Sequence, residues 1–151
     1  MAAPLYTVTG KPVQGARGSS KVLRDEFAAI ETAVDLLNAI PLFAFADDLN
    51  TADSFWIPTP GWAGTVEALF AVNYDANTTT ATVLTAELGG TAVTLSGTWQ
   101  FGATDAAGTQ VTVTGTAANA FTAGQPIEII SNGGGAPVMR VMLCALVART
   151  S

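Results

Sequence analysis

The chain has 151 residues, a formal charge of −6, 12% charged and 49% apolar side chains, and no histidine. That length suits one self-sufficient domain with an appendage, and the acidic balance argues against a nucleic-acid binder, which carries a basic face. The absence of histidine removes the usual general base, the usual serine or cysteine triad and the commonest zinc ligand together.

Residues 1–18 contain Pro4, Gly10, Pro12, Gly15 and Gly18 with little periodicity, so they read as an extended arm. Residues 1–24 carry Lys11, Arg17, Lys21 and Arg24 with no acid, giving +4, whereas the rest carries twelve acids against Arg140 and Arg149, giving −10. A basic arm ahead of an acidic body predicts a docking segment for an acidic partner, with Lys11 and Arg17 as the contacts. The opening MAAPLYTVTG has no apolar core of secretory length, and Arg140 interrupts the longest apolar run, so the expectation is a soluble protein made in the cytoplasm, without membrane contact.

The next segment, Ser19 to Asn38, places Leu23, Phe27, Ile30, Val34 and Leu37 at steps of 4, 3, 4 and 3. Such spacing aligns five side chains on one seam of a helix, the pattern through which helices of separate chains pair. Ser19 or Ser20 can cap its start, and Asp25 and Glu26 lie near its positive end. Pro41, which lacks a backbone donor and pushes Ile40 toward extended geometry, marks the boundary of a helical region over 19–40. The seam lasts only about two and a half heptads, so an oligomer built on it needs further contacts.

After Pro41 the periodicity alternates, and residues 41–151 read as an antiparallel β-sandwich or jelly roll of seven or eight strands. Two short strands are expected at Leu42 to Ala46 and Ser54 to Pro58. Thr65 to Tyr74 is expected to turn Val66, Ala68, Phe70, Val72 and Tyr74 to the core. Strands 80–88 and 91–95 flank Gly89 and Gly90, which accept the positive φ of a tight hairpin turn, so Leu84, Ala86 and Leu88 should oppose Val93 and Leu95. Further strands are expected at Thr98 to Gly102, at Gln110 to Gly115 with Val111 and Val113 inward, and at Pro126 to Ser131. The last, Val138 to Ala148, is apolar at both parities apart from Arg140, as befits a strand covered on both faces, by a subunit interface or by loops of the same chain.

The candidates for chemistry are few. Asp47, Asp48 and Asp53 lie close together, but DDLNTAD sits between short apolar runs as a polar loop, with nothing visible to raise a carboxyl pKa or to form a sugar cleft. Oxygen ligands for calcium are present there without the EF-hand spacing or its glycine. Gly133, Gly134 and Gly135 lead to a strand instead of a helix, so they form a turn and not a phosphate loop. Phe55, Trp56, Trp62 and Trp99 are candidates for an aromatic platform that contacts a glycan, with core packing as the alternative. Cys144 lies in VMLCALVA without a neighbouring cation and reads as a small buried hydrophobe. No catalytic, metal or cofactor site is expected.

The order of arm, VLRDEFAAIETAVDLLN, proline and β body resembles small virion structural proteins of tailed bacteriophages. Arg24, Glu26, Phe27 and Ile30 match the "R-x-EF-x-x-I" helix of such proteins, and the resemblance covers about the first 40 residues. It implies a homotrimer with bundled helices and a β knob, anchored to the virion and its major capsid protein by the basic arms. The function it implies is non-enzymatic: a capsid decoration or head fibre, or alternatively a tail fibre or spike whose knob binds a host glycan.

Overall fold

The computed structural model describes residues 39–78, 80–134 and 137–150, together with Arg24, Asp25, Phe27, Ala28 and Ile30, which have helical backbone. The arm with Lys11 and Arg17, and Leu23, Val34 and Leu37 of the seam, lie outside the described residues. The chain divides into two units between Ala39 and Ile40.

The described strands are β1 (Ala39–Ala46), β2 (Ser54–Ile57), β3 (Gly64–Asn73), β4 (Thr82–Leu88), β5 (Thr91–Ala92), β6 (Thr94–Leu95), β7 (Trp99–Phe101), β8 (Gln110–Ala117), β9 (Ala120–Phe121), β10 (Ile127–Ser131) and β11 (Val141–Arg149). The protein is mainly β, with two antiparallel sheets. The first runs β1-β11-β3-β8-β6, with β9 also pairing β3; the second runs β2-β10-β4-β5, with β7 also pairing β4. One apolar cluster fills the space between them: Leu69, Val113, Leu143 and Val147 from the first sheet meet Ile57, Leu84, Trp99, Phe101 and Ile129 from the second. This sandwich-like packing is what alternating strands with one apolar face require.

Three local features depart from the alternation read off the sequence. β3 carries a bulge at Glu67, because Val66 pairs Val147 while Ala68 pairs the adjacent Leu146. The extra residue flips the parity of everything beyond it. Val66 therefore faces the core, but past the bulge Leu69, Ala71 and Asn73 do so, and Phe70 and Val72 turn outward, opposite to the expected assignment. The bulge is fixed from the side by Asn119, whose Nδ2 donates to Val66 O at 3.0 Å while its carbonyl accepts from Val66 N at 2.8 Å. Gly115 is required beside it, since a Cβ there would stand 2.5 Å from Val66 O.

The second departure lies in 91–95. Gly89 and Gly90 adopt φ of 59° and 78° and turn β4 into β5 as expected. The pairing continues as expected to Val93, whose N–H donates to Ala86 O at 2.8 Å, and the chain then changes sheet: Leu95 pairs Gly115 of β8, and Trp99 of β7 is the residue opposite Leu84. The third departure is at the start of the body. β1 begins at Ala39, so Pro41 lies within a strand and not ahead of it. β1 is the outermost strand of its sheet, the position where a missing N–H is tolerated.

Candidate assembly surface and adjoining cleft

β11 sits between β1 and β3, and its Val141, Leu143, Ala145 and Val147 are fully buried in the core. The alternate residues Met142, Cys144 and Leu146 point the other way and are half-buried. They pair in register with Val72, Phe70 and Ala68 of β3. On the other flank, Leu42 and Ala44 of β1 pack against the core, which leaves Pro41, Phe43 and Phe45 on the outer face. Phe43 and Phe45 are 52% and 66% exposed. Nine positions on three adjacent strands are thus apolar and uncharged. The face becomes polar at β8, where Gln110, Thr112 and Thr114 pair Val72, Phe70 and Ala68. An apolar centre with a polar rim is the anatomy of a protein interface.

The strand expected to be covered on both faces is therefore covered fully on one side only, and its second face is the middle of this surface. Cys144 lies there, half-buried, with burial pushing its thiol pKa up. In the helical segment, Phe27 and Ile30 are 68% and 43% exposed. Each region presents exposed apolar side chains.

The acidic loop is committed to structure. Asp48 accepts hydrogen bonds from Asn50 N at 2.9 Å, Met139 N at 3.1 Å and Thr51 Oγ1 at 2.8 Å. Partial burial pushes its carboxyl up, but the bonds from Thr51, Met139 and Asn50 outweigh this and hold it below its ordinary value. Buried Asn50 accepts from Thr82 Oγ1 at 2.7 Å and donates to Pro137 O, and Ser131 Oγ donates to Leu49 O at 2.5 Å. This network ties the 47–53 loop to the turn ahead of β11. Asp53 accepts from Ser54 N. Of the three acids only Asp47, which is exposed, is without such a commitment. Among the described residues, no three His, Cys, Asp or Glu side chains cluster as metal ligands would.

The aromatic platform does not form from the four expected residues. Trp99 is 1% exposed in the core, Trp62 packs on Phe121 with ring centroids 5.8 Å apart, and Phe55 packs against the core. Trp56 alone is exposed, on the outer face of the second sheet beside Glu128.

A different cleft opens where the C-terminal ends of β1 and β3 flank the start of β11. It has a volume of about 280 Å³ and is lined by Phe45, Ala46, Asp47, Tyr74, Arg140 and Val141. Arg140 is clamped by Asp75: Nε donates to Oδ2 at 2.9 Å, Nη2 to Oδ1 at 2.8 Å, and the backbone N to Oδ2 at 3.0 Å. The hydrogen bonds and charge of Arg140 hold the Asp75 carboxyl well down, at about 2, and Asp75 raises the Arg140 guanidinium in return. The fork is thereby fixed in orientation although Arg140 is 63% exposed.

No protein-family model matches the chain, and no curated protein matches it significantly.

Proposed function

We propose that the chain is a non-enzymatic structural protein of a tailed-bacteriophage virion, a capsid decoration or head fibre that assembles as a homotrimer and docks on the major capsid protein through its basic arm. The observation that carries the assembly part of this reading is the apolar outer face of β1, β11 and β3 beyond the exposed Glu67 at the bulge, on which Phe43 stands 52% exposed. With strands ~4.8 Å apart and same-face residues ~6.7 Å apart along each, the eight positions other than Phe45 cover on the order of 250 Å². A stable interface buries about 800 Å² per partner, so even doubled for side-chain relief this face falls short alone. The seam of Leu23, Phe27, Ile30, Val34 and Leu37 supplies the remainder, and assembly requires both contributions.

The placement on a virion rests on the resemblance carried by Arg24, Glu26, Phe27 and Ile30 and on the charge contrast between arm and body. Lys11 and Arg17 are the proposed docking contacts. Native mass spectrometry at micromolar concentration should give a trimer, and sedimentation with phage capsids should recover the full chain but not a chain lacking residues 1–18. A stable monomer would remove the assembly reading, and undiminished capsid binding by the truncated chain would move docking to the body. The alternative, a tail fibre or spike that binds a host glycan, is favoured by one observation, the cleft beside Arg140.

A further inference from the structure

We infer that the cleft between Phe45 and Tyr74 is a binding site for one ring of a neutral saccharide. The inference deepens the glycan-binding alternative and does not depend on capsid docking; it keeps Phe45 at the cleft and leaves the contact of β1 with a second copy to Phe43.

The two aromatic side chains rise from β1 and from the end of β3, on either side of β11, and are 66% and 51% exposed. Large aromatic faces held open to solvent are suited to stacking on the C–H face of a pyranose ring. Between them, Arg140 uses its Nε and Nη2 to hold Asp75, which leaves three of its five N–H donors for a ligand in a guanidinium oriented by two hydrogen bonds. Asp47 supplies an acceptor at the same cleft. A sugar needs this mixture: hydroxyls that accept from a fixed fork, hydroxyls that donate to a carboxylate, and an apolar ring face to cover.

Charge selects among ligand classes. Asp47, Asp75 and Arg140 together leave the cleft at −1, so an anionic sugar, a phosphate or a carboxylate is disfavoured, while Arg140 at the centre opposes a cation. A wholly apolar ligand would strand the charged fork. Volume sets the size: about 280 Å³ lies just below the range of drug-sized sites and accommodates a single ring. A single ring stacked at an open site binds weakly, on the order of millimolar, and an oligomer carrying several such sites gains by avidity on a repeating polysaccharide.

The test is a nuclear magnetic resonance titration of the full chain with methyl β-glucoside, methyl β-galactoside and N-acetylglucosamine, each to roughly 50 mM, above a millimolar dissociation constant. Galacturonate and tetramethylammonium serve as the anionic and cationic arms. At least one neutral sugar should shift the Tyr74 ring and Arg140 side-chain signals saturably, with the charged probes weaker. Tyr74→Ala should weaken that binding at least tenfold and Asp47→Asn several-fold. Both positions lie off the nine-position outer face, so neither change should alter the oligomeric state. Absence of saturable shifts with all three neutral sugars, tighter binding of either charged probe, or unchanged affinity in both variants would overturn the assignment.

Discussion

The two sheets present similar apolar faces to each other and very different faces to the outside. The second sheet turns out Trp56, Glu128 and Glu87, which neighbour one another across β2, β10 and β4 in register, with Thr85 and Gln100 exposed and Val83 and Ile130 half-buried nearby. Two acids directly opposite on adjacent strands repel, an arrangement tolerated only where water screens it. The first sheet turns out Phe43, Phe45, Phe70, Val72, Met142, Cys144 and Leu146 with no charge among them, and the exposed Glu67 stands at the bulge. A face built for water carries charge even at some cost in stability, and a face built for a partner sheds it. The contrast within one sandwich is why we read the first sheet as the assembly side.

The largest expected effect is on the inner side of that sheet. Leu143→Ala, at a residue with no exposure, should cost about 2–5 kcal/mol of folding stability by leaving a cavity, visible as a lowered thermal midpoint. Leu146→Ala, three residues on and facing outward, should leave the monomer's stability closer to that of the parent. Equal losses at both would mean that the outer face is already covered within the chain.

Next comes charge on the outer face. Phe43→Asp places an unpaired carboxylate in the proposed contact, and at about 3 kcal/mol or more it should weaken assembly on the order of 100-fold or beyond. Sedimentation velocity should then show dissociation with unchanged circular dichroism. The matched change Thr85→Asp on the second sheet should do neither, as exposed substitutions stay within about 0.5 kcal/mol. Dissociation by both variants alike would erase the distinction between the faces.

Cys144 reports on the same surface without any substitution. Its thiol is half-buried and its pKa is raised by burial, so modification by a disulfide reagent at pH 8 should be slow. If a second copy covers the face, the rate should fall further as protein concentration rises through the assembly range, and Phe43→Asp should abolish that dependence. A rate independent of concentration would place Cys144 outside any interface.

The smallest effect concerns the clamp at the cleft. Asp75 titrates at about 2 in the folded protein against 3.8 ordinarily. Its folded value is the lower, so its stabilising contribution is present above the ordinary value and is lost as pH falls through about 2. Asp75→Asn should lower the thermal midpoint at pH 7 by a small, salt-sensitive amount, and the difference from the parent should shrink between pH 4 and pH 2. A difference that persists at pH 2 would show that something other than charge holds Arg140.

Much of this surface was present in the sequence as double parity. Val138 to Ala148 is apolar at even and odd positions, and so is Ile40 to Ala46, where Pro41, Phe43 and Phe45 alternate with Leu42, Ala44 and Ala46. The same test applied to both segments finds two of the three strands of the face. It does not find the third, because Phe70 and Val72 reach the outside only through the bulge at Glu67. The cleft was less legible: Asp75 and Arg140 are 65 residues apart, and the sequence marks neither as the other's partner.

The alternation after Pro41 determined a mainly β protein, and the glycine pair at 89 and 90 fixed a turn, because each of these follows from local pattern or from local backbone preference. Strand order, the change of sheet at Val93, the parity switch in β3 and the meeting of Phe45, Tyr74 and Arg140 were decided only by tertiary structure. Each depends on which distant strand supplies the next hydrogen-bond partner, and a local pattern of period two carries no record of that choice.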